Sequence, residues 1–173
     1  MNKNRNRKII MIITAAVLSF TGMGCGKSQN AANCPFSELS WDSTTEDMIA
    51  LEGDGYDTYD SIYKGITYTY PCNYLDIPGM VKYMYDDNEI LCNISWSYNG
   101  VSAEDISKTY DAVCADIEKS FGKGNDDDGV GNRSRIWVTD SGTIMVSSVT
   151  TNDTNVMQIA FMRKEVSKQQ KED

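Results

Sequence analysis

Between residues 68 and 98 the large apolar side chains recur at every second position. Tyr68, Tyr70, Cys72 and Tyr74 make one such set, and Val81, Tyr83 and Tyr85 a second. Ile90, Cys92, Ile94, Trp96 and Tyr98 make a third. A period of two places each set on one face of an extended strand. The turn-forming runs Asp76-Ile77-Pro78-Gly79 and Asp86-Asp87-Asn88-Glu89 separate the sets. The pattern predicts a three-strand antiparallel meander over 65–75, 79–85 and 89–98.

The period then changes. Ile106, Tyr110, Val113, Cys114, Ile117 and Phe121 recur at three and four, after a capping pair Ser102/Asp105 and before Gly122. That is an amphipathic helix of about five turns. Three more strands are predicted beyond it, over 133–140, 142–150 and 155–164. Ser141-Gly142 and Asn152-Asp153 supply the turns between them. Upstream, Ser43 with Glu46 or Thr44 with Asp47 caps a shorter helix that Gly53 ends. The chain thus reads as an α+β domain over 35–164. Its antiparallel sheet has about six strands, with helices on one face, in the order α-β-β-β-α-β-β-β.

The order repeats. Thr44-Thr45-Glu46-Asp47-Met48 and Ser102-Ala103-Glu104-Asp105-Ile106 match as cap, small residue, acid, acid, apolar. Each opens a helix that precedes three strands, which suggests repeats over 41–99 and 100–164. The charged segment 165–173 lacks a partner face and is expected to be disordered.

The first residues carry a different signal. Lys3, Arg5, Arg7 and Lys8 precede an uncharged run from Ile9 to Phe20, which is short for a membrane span. A basic start, a short apolar stretch and small residues describe a secretory signal peptide. Gly24-Cys25 gives that leader the form of a lipoprotein signal, and residues 1–24 resemble the lipobox pattern of bacterial lipoproteins. Gly24 and Cys25 match it; Gly22 and Met23 depart from it. The resemblance implies cleavage before Cys25, a lipid on its thiol, a flexible tether over 25–34 and a chain held outside the cytoplasm. A phosphate-loop reading of Gly26-Lys27-Ser28 fails, because Thr21 stands where the loop needs its first glycine.

Composition narrows the chemistry. The leader removes four of the sixteen basic residues and none of the twenty-five acids, so the formal charge goes from −9 to −13. Nucleic acid is disfavoured as a partner. There is no histidine, which argues against His-dependent hydrolases and His-ligated zinc. No enzyme activity, cofactor or metal is expected. Cys34, Cys72, Cys92 and Cys114 permit two disulfides outside the cytoplasm, in three connectivities. Cys92 and Cys114 could meet where helix packs on sheet, leaving Cys34 with Cys72. The same thiols also suit small buried hydrophobes.

The layout of a capped helix followed by Tyr-rich hairpins, then the same again, is carried by Trp41, Glu46, Asp47, Gly53 and Thr67-Tyr68-Thr69-Tyr70. It resembles small extracellular bacterial lipoproteins and is similar to the tandem-repeat β-lactamase-inhibitor-protein-like fold. The resemblance implies a curved sheet whose helix-free face binds a protein. Tyr68, Tyr70, Tyr83, Tyr85 and Trp96 are the candidate binding face; equally, tyrosine suits a strand with a buried ring and a wet hydroxyl. The expected function is a membrane-tethered, non-enzymatic binding domain for a protein or peptide. A calcium- or glycan-binding module and a carboxylate-dependent hydrolase are the alternatives. The acidic runs Glu52/Asp54/Asp57/Asp60 and Asp126-Asp127-Asp128 read as solvated loops, since Gly124 stands where a calcium loop needs an acid. The sequons at Asn93, Asn132 and Asn152 carry no weight behind a bacterial leader.

Overall fold

A computed structural model describes residues 32–127 and 131–169, with side chains through residue 166. The leader, Cys25 and Asp128 lie outside the described residues. The chain runs α1 (Thr45–Glu52), β1 (Asp57–Asp60), β2 (Lys64–Tyr74), β3 (Ile77–Asp86), β4 (Leu91–Asn99) and α2 (Ala103–Phe121). It continues through β5 (Asn125–Asp127), β6 (Arg133–Val138), β7 (Gly142–Thr150), β8 (Asn155–Arg163) and α3 (Lys164–Gln169). The strands form one antiparallel sheet in the order β1-β2-β3-β4-β8-β7-β6-β5. Exchanging the first four strands with the last four reverses this order. A pseudo-twofold therefore lies between β4 and β8, whose register runs from Asn93↔Met162 to Asn99↔Val156.

The α+β class and the antiparallel sheet agree with the sequence pattern; the strand count does not. The sheet has eight strands rather than six, and each half is one helix followed by four strands. The two additional strands, β1 and β5, are the outermost ones. Both are short, four and three residues, which blunts the open edges.

Both long helices lie against the same face. From α2, Ile106, Tyr110, Val113, Cys114 and Ile117 enter the core with Ile144, Val146, Met157, Ile159 and Phe161 of β7 and β8. Ser102 caps this helix through Asp105 N, and Gly122 closes it at φ 74°, as its spacing predicted. Helix α1 is held differently, since Met48 is its only buried residue. Tyrosine hydroxyls from the sheet bind its two ends: Tyr85 donates to Thr44 O (3.1 Å), Tyr70 to Gly53 O (2.8 Å) and Tyr83 to Glu52 Oε1. Thr44 also closes a capping box with Asp47. Thr44→Ala is therefore expected to lower stability by about 1 kcal/mol, read as a shift in the urea midpoint without change of slope.

Residues 32–41 complete this layer. Ala32, Cys34, Leu39 and Trp41 are buried, and the Phe36 ring sits edge-on to Tyr74 (5.4 Å) and Phe161 (5.7 Å). Ala32 and Cys34, expected to belong to a flexible tether over 25–34, are part of the core instead, and the rest of that expected tether, 25–31, lies outside the described residues. The segment 165–173, expected to be disordered, begins as helical residues of α3. Arg163, just before it, donates to Trp41 O (2.9 Å) and pairs with Glu165 (3.0 Å). Among the described residues no helix is long and apolar enough to cross a membrane.

Candidate functional site

The five aromatic residues expected to make a binding face all point to the helices instead. Tyr70, Tyr83, Tyr85 and Trp96 are 3 %, 0 %, 1 % and 0 % exposed, and Tyr68 is half-buried. Their rings pack edge-on in a chain, Tyr68 on Tyr85 at 5.9 Å and Tyr70 on Tyr83 at 6.2 Å, while Trp96 Nε1 donates to Cys72 O (2.9 Å). Four of them belong to the core, and Tyr70, Tyr83 and Tyr85 fasten α1, so the set does not form an exposed aromatic face. The physical reason is simple. Alternation made this the more apolar face, and that is the face a sheet covers with helices.

The expected disulfides are absent; all four cysteines are free thiols. A bulge between Met84 and Tyr85 interrupts the register where β4 begins. Leu91 there joins the core, while Cys92 borders a cavity at the sheet's end beside Asp86 and Arg163. Cys114 stays on α2's buried stripe, where its thiol meets Tyr110. Cys92 and Cys114 therefore do not meet. Cys72 Sγ lies 3.9 Å from Phe36 O and is not bonded to Cys34. Burial pushes the thiols of Cys92 and Cys114 up to about 11, and that of Cys34 well above its usual value. Such thiols stay protonated near neutrality and are poor nucleophiles.

The acidic clusters are dispersed. Glu52 accepts from Tyr83, Asp57 and Asp60 lie on exposed β1, Asp126 pairs with Arg135 (2.8 Å), and Asp127 accepts from Ser134. Among the described residues, no three His, Cys, Asp or Glu side chains gather in a metal-ligating group. The cavity of about 560 Å³ at the sheet's end mixes Lys64, Asp86, Asp87, Arg163 and Glu165 with Ile62, Ile90 and Cys92. Its three acids and two bases mix with apolar side chains and present no single-sign field.

The helix-free face has a different composition. Register defines its rows: Thr69–Lys82–Ser95–Ala160–Met145–Ile136 runs across six strands, β2 to β6 by way of β8. Beside it runs Thr67–Met84–Asn93–Met162–Thr143, and on the other side Met80–Ser97–Gln158–Ser147. Apart from Ala160 and Ile136 these residues are polar groups and methionines, with Lys82 the one charge among them. Although neither α1 nor α2 lies on this face, Thr67, Thr69, Asn93 and Ser95 are 1 %, 9 %, 4 % and 0 % exposed. Their neighbours Met84 and Met162 are themselves 9 % and 8 % exposed.

Thr67 Oγ1, Thr69 Oγ1, Asn93 Oδ1 and Ser95 Oγ are buried yet have no hydrogen-bond partner in the protein. Trp41 Nε1 and Asn155 Oδ1 are the other two such atoms among the described residues, so four of six fall on this one face. A buried polar atom left unpaired costs about 1–3 kcal/mol, and native structures hold few of them. Asn93 Nδ2 does find an acceptor, Tyr63 Oη at 3.3 Å, whose residue follows β1. The arrangement offers hydrogen-bonding capacity on an adaptable, methionine-walled surface. It offers no nucleophile–base pair and no convergent carboxylates.

These features define an antiparallel-sheet module with one face packed under helices and one face open. No family model, curated protein or solved structure matches the chain.

Proposed function

We propose that this chain is an extracytoplasmic lipoprotein, tethered through Cys25, whose helix-free sheet face binds a protein partner without catalysing a reaction. The observation that carries the binding role is the cluster of four buried, unpartnered polar atoms on Thr67, Thr69, Asn93 and Ser95. A partner's hydrogen-bonding groups would satisfy them once the side chains around them move aside. Methionines 80, 84, 145 and 162 supply apolar contact that can repack around a guest. The reading favours protein over glycan because stacking aromatics are missing from the middle of the face. The tether rests on the lipobox-like Gly24-Cys25 and the basic, then apolar, leader. Two acyl chains on Cys25 would hold the domain stably, each buried CH₂ contributing about 0.8 kcal/mol.

Site-specific photocrosslinking in the native cell tests this reading. A crosslinker placed at Ser97 or Gln158, half-buried on the face, is expected to trap one discrete protein species. The same group at Val101, 90 % exposed and off the face, is expected to trap none. Equal yields at all three positions, or no adduct from the face, would count against the binding role. Mass spectrometry of the mature chain checks the anchor; an unmodified Cys25 behind an intact leader would remove it.

A further inference from the structure

The helix-free face contains a group whose chemistry specifies what the partner brings. We propose that the partner seats a carboxylate side chain, an aspartate or glutamate, on Lys82 between Thr69 and Ser95; this rests on the binding role just described. Lys82 lies in the middle of β3, and its direct cross-strand neighbours on the same face are Thr69 on β2 and Ser95 on β4. Neighbouring strands are about 4.8 Å apart. The two hydroxyls therefore flank the lysine, one on each side. Both hydroxyl oxygens are buried and without a partner.

Lys82 makes no ion pair among the described residues, although acids outnumber bases in the chain twenty-five to sixteen. Five other cations find them: Lys108 with Glu104, Lys119 with Asp116, Arg133 with Asp111, Arg135 with Glu118 and Asp126, and Arg163 with Glu165, whereas among the described residues Lys64 and Lys123, off this face, share the unpaired state of Lys82. On this face the nearest acid in the same row is Asp57, two strands away and exposed. The cation is thus held between two idle hydroxyls, with Met80 and Met84 two residues to either side along its own strand. An arriving carboxylate would gain a charge-assisted bond to Lys82 in a partly dehydrated setting, with a hydroxyl on either side to take one further hydrogen bond. A lysine or arginine at the same spot would meet like charge with no acceptor carboxylate. A neutral segment would leave the cation desolvated and unpaired, which is the costly outcome.

The test uses the full chain and a displayed random-peptide library. Peptides selected on the immobilised chain are expected to share an Asp or Glu at one position. Changing that acid to its amide, or Lys82→Met in the chain, is expected to weaken binding about tenfold or more, while Lys82→Arg stays within about threefold. Lys123→Met, which removes a cation off this face, is expected to change nothing. An unaltered urea midpoint for Lys82→Met assigns its loss to the contact rather than to the fold. Binders that share no acid, or that ignore Lys82→Met yet are blocked by Ser97→Arg and Gln158→Arg, overturn the carboxylate and leave the binding face standing. Recovery of no binder, or only of binders indifferent to all three positions, overturns both. Displacement of a selected peptide by free acetate at equal effectiveness makes this a small-anion site and overturns the protein partner.

Discussion

Replacing Trp96 by alanine is expected to destabilise the domain by about 3–5 kcal/mol, the largest effect of any single truncation in the sheet. Trp96 is fully buried on β4, a strand with neighbours on both sides, and its indole fits several constraints at once. Its ring packs edge-on to Tyr74 at 5.7 Å and stacks on Tyr98 at 6.2 Å. Its Nε1 donates to Cys72 O at 2.9 Å. It also lies over the backbone of Gly79, where an added Cβ would come within 2.5 Å of the ring. Alanine would leave a large void under α2 and an unpaired carbonyl on β2, and the rigid strands around it could not close in. Since whole domains are stable by about 5–15 kcal/mol, the variant stands near the edge of unfolding. Urea denaturation followed by far-UV circular dichroism reads the effect. A loss under about 1.5 kcal/mol would mean that the indole is not the centre of this core. Trp96→Phe, which keeps most of the volume but not the hydrogen bond, is expected to recover more than half of the loss.

That dependence on one face of β4 also explains what could be read from the sequence. Helix α2 was legible because its signals are local: Ser102 and Gly122 fix its ends, and six apolar residues at three-and-four spacing fix its buried side. The six inner strands were legible by alternation. Strands β1 and β5 were not, since Asp57–Asp60 is exposed at every position and Asn125–Asp127 is polar throughout. They are strands only because β2 and β6 offer them an edge, a tertiary cause that leaves no periodic trace. Alternation also separated the two faces of the sheet correctly, but the aromatic set was given the exposed role. The stronger inference was available: two helices must cover one face, and they cover the more apolar one. The residues between the tyrosines, namely Thr67, Thr69, Lys82, Met84, Asn93 and Ser95, were then the open face by elimination. What no spacing could reveal is that their polar atoms would be both buried and unpaired, because that depends on how side chains from other strands pack around them. The paired cysteines failed for a related reason. A bulge at Leu91 takes Cys92 away from the core, and a bulge has no signature in the alternation around it.

Raising the pH above about 10 is expected to unfold the domain in one cooperative step, and the tyrosines are the cause. Burial pushes the hydroxyls of Tyr70, Tyr74, Tyr83, Tyr85 and Tyr110 upward, Tyr70 to about 12 and the others further. Carboxylates add to the shift after burial: Asp116 accepts from Tyr74 at 2.7 Å, and Glu52 accepts from Tyr83. In the folded state these groups keep protons that an unfolded chain releases near its ordinary value. Stability from this source is therefore complete below about pH 10 and is lost as pH rises from there toward the folded-state values. Each tyrosine held fully neutral costs at most about 1.4 kcal/mol per pH unit once the unfolded chain ionises, so the set together costs several kcal/mol per unit even after discounting Tyr70 and Tyr110, whose hydroxyls are less buried. Against a total of about 5–15 kcal/mol, one to two units suffice. Tyrosinate absorbance and far-UV circular dichroism should change together, in a transition steeper than a single ionisation. A gradual tyrosinate titration with the circular dichroism unchanged would mean that these hydroxyls reach solvent in the native state. Tyr83→Phe separates the two contributions of its hydroxyl. At neutral pH the variant loses the bonds to Glu52 and Ser37 and is less stable by about 1 kcal/mol. Above pH 10 its stability falls more gently than the parent's, because one fewer proton is held against release, and the two curves should converge before either chain unfolds completely.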